Sequence, residues 1–275
     1  MLLCVLNISE GRRPDVIDAI ADTAGGDLLD IHTDAEHHRS VLTLVGEAAA
    51  RAVTVAAVET LDLRHHRGAH PRLGVVDVVP FVPLPDDSLA GAVAARDRFV
   101  SWIGHELGVP AFPYGPASGN GPALASLPEI RRSAFTGLAP AAGPREPHPR
   151  AGATSVGARP ALVAYNLWLA APDLALARSI ARSLRSPAVR ALGLRVGGAV
   201  QVSCNLVEPH ITGPDAVYDT VARQAPVRRA ELVGLVSKAV LTAIDRSRWP
   251  QLDLSPARTV EARLGSFRRT PRPPG

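Results

Sequence analysis

Between Leu2 and Val82 the hydrophobic period switches between two residues and 3.6 in the order strand, helix, strand, strand, helix, strand, and few folds accept that order. LLCVLN (2–7) reads as a strand. Ser9, Glu10 and Gly11 turn the chain into a helix that Pro14 opens at its first position. Val16, Ile17, Ile20 and Ala24 recur at helical spacing, Gly25 and Gly26 stop the helix, and LLDIH (28–32) and SVLTLVG (40–46) read as the next two strands. An alanine-rich helix from Glu47 to Leu63 leads to a β-branched run, Val75 to Val82, that wants to be a buried strand. The order βαββαβ is the split-βαβ signature, an antiparallel sheet with both helices on one face.

Further along, residues 88–107 read as a helix, PAFPY as a short strand, ALASLPEIRRSAF as a helix interrupted by Pro128, and Gly137 to Pro160 as a loop. Within that loop GPREPHPRAG (143–152) is too rich in Pro and Gly for regular structure, and its length suggests function or a hinge. The pattern then restarts: ALVAYNLWLA (161–170) as a strand, PDLALARSIARSLR as a helix, VRALGLRV and AVQVSCNLVE as strands paired across Gly197-Gly198, a helix through Ala225, and ELVGLVSKAVLTAI as a strand running into a helix. The expected fold class is α+β, with two ferredoxin-like (βαββαβ-type) subdomains carrying antiparallel sheets.

Charge excludes one class of partner. The chain is +4 overall, but from Arg246 onward seven Arg oppose only Asp253 and Glu261, a net of +5, so residues 1–245 carry −1. The folded body is not basic; a disordered basic tail is expected over 266–275, and no nucleic-acid surface. No apolar run approaches the roughly 20 residues a bilayer span needs, and MLLCVLNISEGRR lacks a basic stretch ahead of its short apolar segment, so neither membrane nor signal peptide is expected. A cytoplasmic location follows as the default. Cys4 and Cys204 are the only cysteines, which rules out a disulfide framework.

Six of the nine histidines, His32, His37, His38, His65, His66 and His70, fall within 39 residues. His66 and His70 have i, i+4 spacing, and His37 or His38 could add a third metal ligand, but Gly68 breaks the helix that would make the spacing useful. No metal is expected. His37, His65 and His66 read as solvated loop histidines, and His105 and His210 as structural. His70 differs, standing between Gly68 and Pro71 just before the buried strand, where a neutral imidazole is a ready general base.

Several stretches together resemble the formiminotransferase family: VLNISEGR (5–12), DAEHHRSVLTLVG (34–46), RGAHPRLGVVDVVPFVPL (67–84), HPRAGATSVGARPALVAYN (148–166), QVSCNL (201–206) and ELVGLV (231–236). The resemblance implies subdomains over 1–158 and 159–265, a groove between them, and a homodimer. It implies transfer of the formimidoyl group from N-formimidoyl-L-glutamate to N5 of tetrahydrofolate, as in histidine degradation and one-carbon metabolism. The family's proton-accepting histidine falls on His70, and its folate-binding segment on Gly143, Pro144, Arg145, Glu146, Pro147, His148, Pro149, Arg150, Ala151 and Gly152.

Residue type adds substrate-binding candidates: Arg39 and Arg72 for substrate carboxylates, and the amides Asn7, Asn166, Gln201 and Asn205 in or beside apolar strands. Asp34, Glu36 and Asp77 are candidates to face the amidinium-like donor group. Against the usual family pattern the chain carries His38 for an asparagine, Trp168 within YNLWL, and Ala141-Ala142 ahead of the folate segment. An alternative on the same resemblance is a family member that binds a folate or another pterin, or uses a different acceptor. The chain ends soon after the second subdomain, so a fused cyclodeaminase domain is not expected.

Overall fold

The computed structural model describes residues 1–68, 71–85 and 87–267. It divides into two units, Met1–Pro160 and the chain from Ala161 onward.

In the first unit the elements run β1 (Leu2–Ile8), α1 (Pro14–Asp22), β2 (Leu28–Asp34), β3 (Arg39–Val45), α2 (Gly46–Thr60), β4 (Val76–Pro83), α3 (Leu89–Glu106), β5 (Ala111–Tyr114), α4 (Leu127–Ser133) and β6 (Thr154–Ala158). The sheet order is β2-β3-β1-β4-β6-β5. The first four strands pair antiparallel in the split-βαβ arrangement, and β6 then inserts parallel between β4 and β5. Cys4, Leu6 and Ile8, Leu42 and Leu44, Val79 and Phe81, and Val156 and Ala158 line one face. That alternation follows from the period-2 pattern. Against it pack the small residues of α2 (Ala49, Ala50, Val53, Ala57) and the larger ones of α3 (Phe99, Ile103).

The opposite face is covered in part by α4, whose Ile130 is buried with Phe112 and Ala153. Two sequence expectations change here. The stretch Gly137–Pro160 is not all loop, because Thr154–Ala158 forms β6; its small residues carry little β signal, but Gly157 leaves the space that the Tyr114 ring occupies. Nor does Pro128 interrupt a helix. It opens α4 in the first turn behind the Ser126 cap, where its missing N–H costs nothing.

The second unit runs β7 (Val163–Leu169), α5 (Leu174–Leu184), β8 (Val189–Val196), β9 (Ala199–Leu206), α6 (Pro214–Ala222), β10 (Val227–Val233), α7 (Lys238–Thr242) and α8 (Val260–Phe267). Its four strands are ordered β10-β7-β9-β8, all antiparallel. Asp173 caps α5 by accepting the Leu176 N–H at 2.9 Å. Ala177, Ile180, Ala181 and Leu184 then bury against Tyr165, Leu167, Val200 and Val202 of the sheet. Of the expected tail, 266–267 close α8 and the remaining residues lie outside the described set. No helix among the described residues is long and apolar enough to cross a membrane.

Candidate active site

A shift in strand register creates the polar centre of the first unit. On β4, Val78 pairs with Asn7 but Val76 with Ile8, so Asp77 lies in a bulge. Bulges turn a side chain out of strict alternation. The Asp77 carboxylate is 1% exposed, yet its Oδ2 accepts from both Arg39 Nη1 and Arg131 Nη2 at 2.7 Å, and its Oδ1 from the Leu73 N–H at 2.7 Å. Arg39 also donates through Nε and Nη2 to Asn7 Oδ1, at 3.0 and 2.8 Å. Burial pushes the Arg39 pKa down; the Asp77 carboxylate opposes this and the Arg131 charge adds to it. Two guanidiniums on one carboxylate oxygen leave this face of the sheet net positive.

A second network holds the loops beside it. Glu10, 2% exposed, accepts through Oε1 the N–H groups of Gly11, Arg12 and Arg13 at 2.9, 2.8 and 3.2 Å, and through Oε2 the Arg13 Nε at 2.7 Å. Burial alone would raise its pKa, but these donors outweigh it and draw the carboxyl down to about 2. His38 Nε2 sits 3.0 Å from the same Oε1. His38 has φ 53°, the left-handed region that asparagine tolerates best after glycine. Its ring stacks on His66, centroids 4.1 Å apart and planes 13° apart, and His66 Nε2 donates to the His38 carbonyl at 2.7 Å.

Gly68 closes this packing, since a Cβ there would meet the His37 carbonyl and lie 2.8 Å from both His38 Cβ and His66 Cε1. Arg72 Nη1 and Nη2 donate to the carbonyls of Gly68 and His66 at 3.2 and 3.3 Å. Arg72 is thereby tied back to the loop that ends at Gly68. His70 itself, the expected base, lies outside the described residues.

The segment 143–152 forms neither helix nor strand and is anchored at its ends. Ala142 pairs with Ala111, and Gly143, at φ 85°, packs against Gly104. At the other end His148 and Gly152 exchange two backbone hydrogen bonds of 2.9 Å, and His148 Nδ1 accepts the N–H of Arg150 and Ala151 at 3.3 and 2.9 Å. Val75 donates to the Ala151 carbonyl at 2.9 Å, joining this end to the start of β4. Gly143 to Pro147 are exposed.

The second unit has its own polar patch on the sheet face opposite its core. Asn166 Nδ2 and Trp168 Nε1 donate to Glu231 Oε2 at 3.1 and 2.8 Å, and the Arg229 guanidinium lies 4.4 Å from the Trp168 ring centroid. Gln201 pairs with Trp168 in register and is buried, whereas Asn205 is exposed.

Residues 1–159 match the formiminotransferase domain, N-terminal subdomain. The glutamate formimidoyltransferase of Streptococcus pyogenes serotype M1 is 35% identical over 269 residues, covering 86% of this chain and 89% of that protein. This chain belongs to the formiminotransferase family. The glutamate formimidoyltransferase of Thermoplasma acidophilum is 34% identical over 271 residues, 86% of this chain and 88% of that one. The formimidoyltransferase-cyclodeaminase of Sus scrofa is 36% identical over 278 residues, but there the chain, 87% of it aligned, spans only 51% of the relative.

Among the candidates named from residue type, Asn7 and Arg39 come together around Asp77. Arg72 instead holds loop carbonyls, and Asn166, Gln201 and Asn205 all belong to the second unit's sheet. Asp34 is taken up by the N–H groups of Glu36 and His37 at 2.8 and 2.7 Å and by His37 Nδ1 at 3.1 Å. His37 and His66 are not solvated loop histidines; both are buried, His37 against Asp34 and His66 under His38, while His65 is exposed as expected. Arg131, Glu10, Tyr114 and Glu231 escaped sequence reasoning. Arg131 sits beside Arg132 on a short helix and reads as surface charge, and Glu10 reads as a turn residue. The bulge that recruits Asp77 has no local signature.

Proposed function

We infer that this formiminotransferase transfers the formimidoyl group from N-formimidoyl-L-glutamate to N5 of tetrahydrofolate, with His70 as general base. The observation that carries the reading is the identity to glutamate formimidoyltransferases running through both units, 35% over 269 residues for the streptococcal protein. In this reaction N5 attacks the amidine carbon, a tetrahedral intermediate forms, His70 takes the N5 proton, and the same proton goes to the leaving glutamate nitrogen. General-base help of this kind is worth roughly 10² to 10⁴ in rate.

Residues 143–152 are the proposed folate-binding segment, in keeping with anchored ends and exposed middle. Asn7 and Arg39 in the first unit, and Asn166 and Gln201 in the second, are the polar groups proposed to meet substrate. Subdomains over 1–158 and 159–265, a homodimer and a cytoplasmic location complete the proposal. The test is release of glutamate dependent on both formimidoylglutamate and tetrahydrofolate. The wild type is expected to turn over and His70→Ala to lose about 10² to 10⁴ in kcat. An unchanged rate in the variant removes His70 from the mechanism, and a wild type inactive with this pair of substrates refutes the transferase reading.

A further inference from the structure

Three observations meet at Arg131. Its Nη2 donates to Asp77 Oδ2, the oxygen that also takes Arg39 Nη1. Its Nε–H is shut off from solvent and finds no hydrogen-bond partner among the described residues, although the side chain as a whole is 24% exposed. And the helix that carries it is fixed independently of the ion pair: Ile130 lies in the apolar cluster with Phe112 and Ala153, and the first turn of α4 is closed by the reciprocal Ser126–Glu129 cap. The guanidinium is thus held rigidly, reached from outside along part of its edge, and left with an unsatisfied donor on the buried part.

A buried N–H without an acceptor is costly, so the guanidinium is held in this place against a cost, with its open edge toward solvent. The local charge says what that edge would take. Asp77 supplies one negative charge to two guanidiniums, so an anion is favoured over a neutral carbonyl. The paired N–H groups along an open guanidinium edge match the oxygens of a carboxylate.

We propose that Arg131 is a specificity-determining residue that takes a glutamyl carboxylate of a substrate on the solvent-reached edge of its guanidinium, while Asp77 holds the guanidinium in place. The proposal rests on the formimidoyl-transfer reading, in which both formimidoylglutamate and the glutamyl end of the folate carry such a carboxylate. Asn7, which accepts two bonds from Arg39, and Tyr114, whose phenol burial pushes up in pKa, border the same cationic face.

The experiment compares the full chain, Arg131→Lys, Arg131→Gln and the exposed neighbour Arg132→Gln. Each is titrated calorimetrically with L-glutamate and assayed with donor and acceptor varied in turn. Lysine keeps the charge but not the fork. L-glutamate affinity is expected to fall about 10- to 100-fold in both Arg131 variants, matching the loss of a charged hydrogen-bond pair, and to stay unchanged in Arg132→Gln. The KM of one substrate is expected to rise by a similar factor with kcat held within about threefold. A rise for formimidoylglutamate assigns the donor's carboxylate; a rise for tetrahydrofolate assigns the folate's glutamyl end.

L-glutamate binding and both KM values unchanged in Arg131→Lys, with the melting temperature within about 3 °C of wild type, would overturn the proposal. So would a fall in kcat with both KM values unmoved. A wild type that binds L-glutamate through Arg131 but transfers no formimidoyl group defeats the transferase reading and leaves this inference standing. An active wild type indifferent to Arg131 defeats this inference alone.

Discussion

Glu10→Gln is expected to lose about 2–4 kcal/mol of stability at pH 7 and, with it, part of the protein's acid sensitivity below pH 4.5. The carboxylate takes three backbone N–H groups and the Arg13 Nε, and faces His38 Nε2. An amide offers one acceptor oxygen and turns an NH₂ toward donors, so part of that set is left unpaired in a buried place. The sign of the pH effect follows from linkage. Glu10 falls from 4.5 to about 2 on folding, so the unfolded chain binds the proton first. Its stabilisation, about 3 kcal/mol for a shift of this size, is complete above pH 4.5 and is lost as pH drops toward 2.

His66 adds to this in a higher window. Burial lowers its pKa from 6.5 to about 4, so acidification through that range also favours the unfolded chain. Urea unfolding at a series of pH values separates the two. In Glu10→Gln the decline between about pH 6.5 and 4 should persist, while the decline below it should become shallower, Asp34, also drawn down to about 2, supplying part of what remains. Parallel loss in wild type and variant down to pH 2.5 would show that Glu10 is not the group being titrated.

The second large effect is expected at Asp77. Truncation to alanine leaves Arg39 and Arg131 facing each other without their shared carboxylate, and releases the Leu73 N–H that it accepts. Breaking a buried pair from one side costs about 3–5 kcal/mol, because an uncompensated charge remains. Asp77→Asn keeps an oxygen for Leu73 and the shape of the bulge, and should lose clearly less stability than Asp77→Ala while still loosening both arginines. Equilibrium denaturation ranks the variants. Equal stability of Asp77→Ala and wild type would mean that the two guanidiniums are fully solvated in solution.

The architecture was legible because its signals are local. Alternation in Leu2–Ile8, the proline at the first turn of α1, and the Gly197-Gly198 hairpin each state their own element. The strand Thr154–Ala158 was not legible, since its residues are small and it owes its conformation to β4 and β5 on either side. The site divides the same way. Asn7 and Arg39 were readable from residue type, but their partner Asp77 is brought to them by a register shift, and Arg131 by a seven-residue helix far along the chain. The burial of His66 comes from stacking on His38, a contact between loops that hydropathy does not encode.

The insertion of β6 also sets an order of events during synthesis. Val78 to Phe81 form their outer hydrogen bonds only with Ser155 to Ala158, so β1 to β4 can be assembled on the ribosome while one side of β4 is still bare. That side belongs to an apolar run, Val78 to Val82, the kind of unpaired edge that recruits other chains. A nascent or truncated chain ending before Thr154 is therefore the form of this protein most exposed to aggregation, and the short strand that sequence reading overlooked is what removes the hazard.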